Sequence, residues 1–226
     1  MESLSDIDST GANRPDAPVS GPEERSRKLA AYGIDSLEDD AELNAIADFA
    51  ASLCDTPTAS VTIVEERRQR FLAKHGIDSR ETPRSVSFCA QAMQGEELFV
   101  VPDATEDPRF AENELVTGPM HLRFYAGAPL VTEDGTALGA LCVIDTEPRP
   151  EGLTQLQQDG LRVLARSALR RFVNEREAKR SREGEKDRAR MLSLVLDSVP
   201  GVAWSADEEL TFDFFNAGRA EVTGAE

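Results

Sequence analysis

The chain has 226 residues, of which 40% are hydrophobic, 30% charged and 6% aromatic. This length holds one domain of about 100 to 150 residues together with shorter segments. Forty-two acidic residues against 25 basic ones give a formal net charge of −17, which repels nucleic-acid phosphates and anionic membranes, so we expect no nucleic-acid partner. No apolar run approaches the roughly 18 to 20 residues of a membrane span, and acids occupy the N-terminus where a signal peptide has basic residues. We therefore expect a cytoplasmic protein.

The three cysteines, Cys54, Cys89 and Cys142, are far apart and form no CxxC pair. Their odd number and their spacing argue against a disulfide framework and against a zinc site, and a reducing compartment fits them best. His75 and His121 are also far apart, with no carboxylate at ligand spacing, so we expect no metal site.

The first 27 residues mix Ser, Asp, Gly, Pro and Glu without a period of 2 or 3.6, which predicts a disordered segment. A helix is then predicted from Leu37 to a point before Pro57, with acids in the first turn, where they suit the helix dipole. Its apolar residues follow helical spacing at Leu43, Ile46, Ala47, Ala50 and Leu53.

Runs rich in β-forming residues predict several strands. The strongest hairpin signal is Asp134-Gly135 between two such runs, because Asp-Gly favours a tight turn. A short helix is predicted over 85–93, and a helical turn over 107–116 with Asp107 as its N-cap before Pro108. The predicted strands cover residues 59–64, 69–73, 98–101, 123–130 and 137–144.

Apolar residues at helical spacing predict a helix over 153–172, and a charged stretch without proline continues it towards 198. One helix over 153–198 would measure roughly 65 to 70 Å, longer than a globular domain needs. Such a helix usually joins domains and pairs with a second copy, so we expect a homodimer with coiled-coil pairing. Two ordinary helices broken near Gly184 are the alternative. Two short β-like runs follow over 202–205 and 210–214.

Four separated segments resemble, in the right order, a GAF domain of the type at the front of bacterial and archaeal sensor kinases and cyclic-dinucleotide enzymes. They are SVSFCAQA at 85–92, VPDATEDPRF at 101–110, RFYAGAPL at 123–130 and LGALCVID at 138–145. A shorter match, VPGVAWSA at 199–206 and FNAGRAEVTG at 215–224, resembles the first third of a PAS domain.

These resemblances imply an α+β fold. A central antiparallel sheet of five to six strands would carry helices on one face and a ligand cavity on the other, followed by a long C-terminal linker helix. The domain boundaries that follow are a disordered segment over 1–27, a GAF domain over 28–172, a linker helix over 173–198 and the truncated start of a PAS domain over 199–226.

Seven residues are candidates for the pocket. Four are Phe residues that would line it, with core filling as the alternative. Asp103 and Arg109 would lie at its mouth, and the alternative is that they cap a helix and tie down a long loop. The full candidate set is Phe71, Phe88, Cys89, Asp103, Arg109, Phe110 and Phe124.

Cys89 would be a redox sensor or a chromophore anchor, with an inert buried thiol as the alternative. GAF domains that carry a bilin attach it through a Cys commonly followed by His. The three cysteines here are followed by Asp, Ala and Val, so we expect no bilin. GAF-fold methionine sulfoxide reductases need a nucleophilic thiolate and a resolving Cys, and this chain lacks the local Cys motifs of that family.

The sequence is interpreted as a sensory GAF module of a signal-transduction protein, with no catalytic machinery of its own. It would sense a small ligand or redox state and relay it through a dimeric helix to an output such as a histidine kinase of a two-component system or a diguanylate cyclase. Cyclic nucleotides, haem, flavin and small metabolites are all compatible, so the ligand stays unknown. A GAF dimerisation scaffold that binds nothing is the first alternative, and a GAF-fold methionine sulfoxide reductase is the second, weaker one.

Overall fold

Six antiparallel strands form one sheet in the computed structural model, which describes residues 22–198, 204–206 and 212–215. The GAF resemblance predicts an antiparallel sheet of five to six strands, which is confirmed, and the order across the sheet is β3-β2-β1-β6-β5-β4. The short edge strand β3 carries no sequence signal of its own. The strands are β1 (Thr58–Val64), β2 (Arg68–His75), β3 (Glu81–Pro83), β4 (Phe99–Val101), β5 (Phe124–Val131) and β6 (Ala137–Asp145).

Five α-helices accompany the sheet: α1 (Pro22–Ala31), α2 (Ala41–Cys54), α3 (Phe88–Ala92), α4 (Glu114–Thr117) and α5 (Gln155–Ser198). Helix α2 begins at Asp40, whose carboxylate accepts the backbone N–H groups of Glu42 and Leu43 at 3.1 Å. The same carboxylate accepts the guanidinium of Arg171, 2.8 Å away, so the N-terminus of α2 is tied to α5.

The prediction of disorder over 1–27 is wrong for its last residues, because α1 begins at Pro22. The helix is held by contacts that a local composition does not reveal. Leu29 is buried in the main core, and Lys28 donates a hydrogen bond of 2.8 Å to the hydroxyl of Thr136. Residues 1–21 lie outside the described part of the chain.

The hairpin of β5 and β6 closes as predicted at Asp134-Gly135. Gly135 has a φ of 76°, which favours glycine, and its N–H donates to the carbonyl of Thr132 at 2.9 Å. The predicted helical turn over 107–116 is instead divided. A tight turn follows Asp107, and the separate helix α4 begins after Asn113, whose side chain caps it.

Helices α2 and α5 cover one face of the sheet and enclose what we call the helix-side core. A β-bulge opposite Val61 and Thr62 turns both Leu72 and Ala73 of β2 towards this core. Its largest fully buried side chains are Leu37, Leu43, Ile63, Leu72, Phe124, Leu130, Leu138, Leu141, Leu161 and Phe172.

Arg149 joins the end of α2 to the end of β6 beside this core. Its guanidinium donates to the carbonyls of Cys54 (2.7 Å) and Asp55 at the end of α2, and to the Asp145 carboxylate (2.7 Å) at the end of β6. The same group lies 5.3 Å from the ring centre of Phe124, a cation–π distance. One side chain therefore satisfies carbonyls that the helix leaves open.

The chain divides into two compact units, residues 1–173 and 174–226. Helix α5 is continuous through Gly184, so the alternative of two broken helices is wrong and the single long helix is confirmed. In the second unit, β7 (Trp204–Ala206) pairs with β8 (Phe212–Phe215) in a two-stranded antiparallel sheet. The rest of the predicted PAS segment lies outside the described residues. Within the described ranges, no helix is long and apolar enough to cross a membrane.

Candidate functional site

The face of the sheet away from α2 and α5 carries a second buried cluster, which we call the cavity-side cluster. Helix α3 and the connection between β4 and β5 cover it. Its aromatic rings pack closely: Phe88 stacks on Phe110 with 3.9 Å between ring centres, and Tyr125 lies 5.3 Å from Phe88. The cluster comprises Val64, Phe88, Cys89, Ala92, Val101, Ala104, Phe110, Val116, Leu122, Tyr125, Ala140, Cys142 and Ile144.

A small cavity of about 80 Å³ opens beside this cluster. Its floor is buried and is formed by Gln69, Phe88, Cys89, Leu122, Tyr125 and Ile144. Its rim is half-buried or exposed and is formed by Phe71, Ile77, Ser79, Thr82, Leu115 and Met120. None of these lining residues is charged, so the cavity suits an uncharged molecule.

Two thiols and a phenol meet at the floor. The sulfur atoms of Cys89 and Cys142 are 3.6 Å apart, and the Tyr125 hydroxyl donates to the Cys89 sulfur at 3.2 Å. On its other side, the Cys142 sulfur lies 3.3 Å from the Ser60 hydroxyl. All four groups are buried, so they satisfy one another rather than water.

The ring of Tyr125 reaches Cys89 because Gly127 has no side chain. Both residues point to the same face of β5, two positions apart. A Cβ atom at position 127 would overlap the ring and hydroxyl of Tyr125. The phenol therefore lies along the strand and towards α3.

The two thiols differ in acidity. Hydrogen bonding with Cys142, supported by Thr62, Tyr125 and Gln69, lowers the pKa of Cys89 against the opposing effect of burial. The hydrogen bond to Cys89 and burial both raise the pKa of Cys142 well above its ordinary value. Burial also raises the pKa of Tyr125, so the phenol stays a donor.

Three of the seven predicted site residues line the cavity: Phe71, Phe88 and Cys89. Phe110 supports the cavity from behind, through its stack on Phe88. Phe124 lies on the opposite face, in the helix-side core under Arg149, because it precedes Tyr125 by one position in β5.

Asp103 and Arg109 have local roles in the loop between β4 and β5. Asp103 accepts the N–H and hydroxyl of Thr105 at 2.9 and 2.7 Å, which lowers the pKa of its carboxyl. Arg109 pairs with Asp107 and lowers the pKa of that carboxyl, and its guanidinium lies 4.9 Å from the ring centre of Phe99. These contacts match the alternative in which both residues tie down a loop.

Sequence reasoning did not identify Gln69, Tyr125 or Cys142 as site residues. Cys142 pairs with Gly127 and with Ser60 in the two neighbouring strands. This register places Cys142 beside the Tyr125 ring, but it becomes visible only once the strands are aligned. The sequence contains one relevant signal: side chains two positions apart in a strand lie on the same face of the sheet.

The six-stranded antiparallel sheet, with helices on one face and a long C-terminal helix, defines an α+β domain with the GAF fold. The family model for the GAF domain matches residues 40–170, and the chain belongs to this family.

A curated relative is a cyclic di-GMP phosphodiesterase of Pseudomonas aeruginosa, which is 47% identical over 129 residues. The match covers 56% of this chain but only 22% of the relative, so the chain spans about a fifth of that protein's length.

Two solved structures share the fold. The GAF domain of a phosphoenolpyruvate-protein phosphotransferase from Coxiella burnetii has a TM-score of 0.52 at 13% identity, covering 72% of this chain and 99% of that one. A bacteriophytochrome from the photosynthetic bacterium R. palustris has a TM-score of 0.50 at 15% identity, covering 78% and 43%. At these identities the likeness concerns the fold alone.

Proposed function

We propose that this chain is the input module of a signalling protein, which senses a small uncharged molecule in the cavity beneath α3. The observation that carries the proposal is the cavity itself. It lies on the face opposite the packing helices, its lining has no charge, and Gln69 and Tyr125 are the polar side chains of a mostly apolar floor. A few polar groups in an apolar pocket are the usual design of small-molecule sites.

The absence of charge in the lining separates the candidate ligands. Cyclic nucleotides carry a phosphate, and free methionine sulfoxide carries an ammonium and a carboxylate. Burying such charges without a partner is costly. An uncharged ligand with one hydrogen-bonding group therefore fits better than either, and this disfavours the reductase alternative.

The relay would pass through the sheet. Strands β5 and β6 contribute to both faces, since Tyr125 and Cys142 border the cavity side while Leu130 and Leu141 pack in the helix-side core. Ligand binding would favour one packing of α5 on the sheet, a population shift between two states. A coupling of about 1 to 3 kcal/mol is the usual scale of such effects.

Dimerisation through α5 is the second part of the proposal. Large apolar side chains are exposed along it at Leu156, Val163, Met191 and Leu194. The first three are separated by multiples of seven positions and the fourth follows three later, which is the a and d spacing of a coiled coil. We expect a dimer in solution.

The output would lie beyond the GAF domain, after a PAS domain that starts within 199–226. The relative from Pseudomonas aeruginosa is a cyclic di-GMP phosphodiesterase, so an enzyme of cyclic-dinucleotide metabolism is one output, and a histidine kinase is the other.

Mass spectrometry of the purified chain, under native and then denaturing conditions, tests the sensor. The wild type is compared with Met120→Trp, which narrows the rim, and with Met93→Trp, a half-buried methionine outside the lining. A bound mass that is released on denaturation, and that is lost only in Met120→Trp, supports the proposal. A bound mass that is retained in both variants contradicts it.

A scaffold that binds nothing is the second candidate, and the small volume of the cavity favours it. An empty wild type in that experiment, together with a stable dimer, would establish the scaffold.

Light scattering over a dilution series tests the dimer. The double variant Met191→Glu, Leu194→Glu should be monomeric, whereas Leu192→Glu, an exposed neighbour outside the a and d positions, should stay dimeric. If light scattering gives the same oligomeric state for both variants, the coiled coil is excluded.

A further inference from the structure

The sulfur atoms of Cys89 and Cys142 are in contact. They are 53 positions apart in sequence and 3.6 Å apart in space. A disulfide bond requires about 2.05 Å, so the sulfur atoms must approach by only about 1.5 Å. Cys54, the third cysteine, is buried in the helix-side core on the other face of the sheet.

The cavity gives a small molecule access to one of these sulfurs. Cys89 forms part of the floor, and the rim above it includes the exposed Ser79 and the half-buried Ile77. Cys142 lies deeper, between Cys89 and Ser60. This order assigns Cys89 as the thiol that reacts first with an oxidant and Cys142 as the resolving thiol, which then attacks the oxidised Cys89.

We propose that Cys89 and Cys142 form an oxidisable dithiol, a modification site that a hydroperoxide entering the cavity converts into a disulfide. The site goes beyond the proposed sensing of an uncharged ligand, because it operates whether or not such a ligand exists. It concerns a pair of residues, so it differs from the idea of Cys89 acting alone.

The chemistry proceeds in two balanced steps. Cys89 loses its proton, and its thiolate attacks one peroxide oxygen: an S–O bond forms, the O–O bond breaks, and the leaving oxygen takes up the proton released by Cys89 and departs as water or an alcohol. The Cys142 sulfur then attacks the sulfur of the resulting sulfenic acid: an S–S bond forms, the S–O bond breaks, and the hydroxyl leaves as water with the proton of Cys142. Two thiols lose two electrons and two protons, and one peroxide is reduced.

The surroundings favour this order of attack. The hydroxyl of Tyr125 stabilises the anion on Cys89 by a hydrogen bond. Cys142 belongs to β6, which pairs with β1 on one side and β5 on the other, whereas Cys89 belongs to a helix of only five residues. To bring the two sulfur atoms together, α3 therefore moves towards β6, and the disulfide would anchor this helix to the sheet.

Treatment of the full chain with hydrogen peroxide, followed by thiol counting in urea and non-reducing peptide mapping, tests the proposal. We expect two of the three thiols to disappear, one cross-linked peptide pair containing Cys89 and Cys142, and an intact mass lower by two hydrogen atoms. Dithiothreitol should restore all three thiols.

Matched variants identify the roles. Cys54→Ser should form the same disulfide, because Cys54 lies on the other face. Cys142→Ser should instead retain a sulfenic acid on Cys89, which dimedone traps, whereas Cys89→Ser should lose most of the reaction.

Three outcomes overturn the proposal: a disulfide that includes Cys54, a disulfide between two chains, or oxidation of Cys89 to the sulfinic acid in the wild type with Cys142 still free. The mapping is done on wild-type protein, so it decides the question even where a variant folds poorly. A cavity that binds no ligand in the native mass spectrum leaves this result unaffected, so the two proposals fail separately.

Discussion

The two faces of the sheet differ in the side chains that they bury. The helix-side core consists mainly of aliphatic side chains, with Tyr32, Phe124 and Phe172, and α2 and α5 cover it. The cavity-side cluster contains stacked aromatic rings, two thiols and a phenol, and it leaves a space of about 80 Å³. One face therefore stabilises the domain, and the other provides room and reactive groups.

The strands between these faces must serve both. Every residue of β1 is buried, with Val61 on the helix side and Ser60 in contact with Cys142 on the cavity side. A change on one face thus reaches the other within a single side-chain layer, which is the physical basis of the proposed relay.

The largest expected effect is the loss of unfolding free energy when a buried leucine is shortened. Two leucines on opposite faces of the sheet, both 0% exposed, allow the comparison. Leu141→Ala in the helix-side core should lower the free energy of unfolding by about 3 kcal/mol, because it opens a void in packed surroundings. Leu122→Ala on the cavity floor should cost nearer 2 kcal/mol, since that side chain already borders empty space. Urea denaturation measures both, and an equal or larger loss at Leu122 would contradict the distinction.

The next effect concerns the polar edge of the helix-side core. Arg70 is 11% exposed and pairs with Asp35 and Glu65 at 2.8 and 3.1 Å, and with Glu38. Burial opposes its charge, but these hydrogen bonds prevail and raise the pKa of Arg70 above its ordinary value. Arg70→Ala should lower the free energy of unfolding by about 1 to 2 kcal/mol.

Arg68 is the matched control for Arg70, since it lies in the same strand and is 47% exposed. Arg68→Ala should cost less than about 1 kcal/mol, because solvent screens its ion pairs. If both variants lose the same stability, burial does not distinguish these two arginines.

A smaller effect should follow from removing the phenol on the cavity side. Tyr125→Phe should cost about 1 kcal/mol of stability and should slow alkylation of Cys89, because loss of the hydrogen bond raises the pKa of that thiol. The alkylation rate of each thiol, read by mass spectrometry, measures this. Tyr32→Phe, buried on the helix side, should leave the rate unchanged, and faster alkylation in Tyr125→Phe would refute the assigned hydrogen bond.

The smallest effect is a pH dependence in the β5–β6 turn. Hydrogen bonds from Thr132 and Thr136, together with Lys28, lower the pKa of Asp134 to about 2. A carboxyl whose pKa is lower in the folded state contributes stability above its unfolded pKa near 4, and this contribution is lost as the pH falls towards 2.

Asp134→Asn should therefore reduce the acid sensitivity of unfolding between about pH 5 and pH 2. Because the side chain is 58% exposed, solvent screening limits the change to about 1 kcal/mol or less. Glu133→Gln removes a charge from the same turn and leaves the hydrogen bonds of Asp134 in place, so it is the matched control. Denaturation curves at several pH values decide between these outcomes.

The sheet could be predicted from sequence because its hairpins carry local signals, above all Asp134-Gly135 and the four GAF-like segments. The sequence does not predict towards which face of the sheet each side chain points. The run FYAGAPLV of β5 is apolar at nearly every position, so no alternation of polar and apolar residues shows which side chains share a face. The sequence therefore predicts Phe124 in the pocket, where the structure has Tyr125. Helix α1 was missed because it is held by contacts with residues more than 100 positions away, such as Lys28 with Thr136.

The site was predictable only in part for a related reason. Phe88 and Cys89 belong to a recognisable segment, and both line the cavity. Cys142 reaches Cys89 only through the register of β6 with its neighbours, which no local pattern encodes.

The ion pair of Asp40 with Arg171 joins residues 131 positions apart, and the bonds from Arg149 to the end of α2 span 95 and 94. On the ribosome, α2 emerges long before either arginine is synthesised. The helix-side core therefore cannot close until nearly the whole GAF domain has left the exit tunnel, and contacts of such sequence separation slow folding. The domain must therefore assemble late, since α2 gains these contacts only when Arg149 and α5 are available.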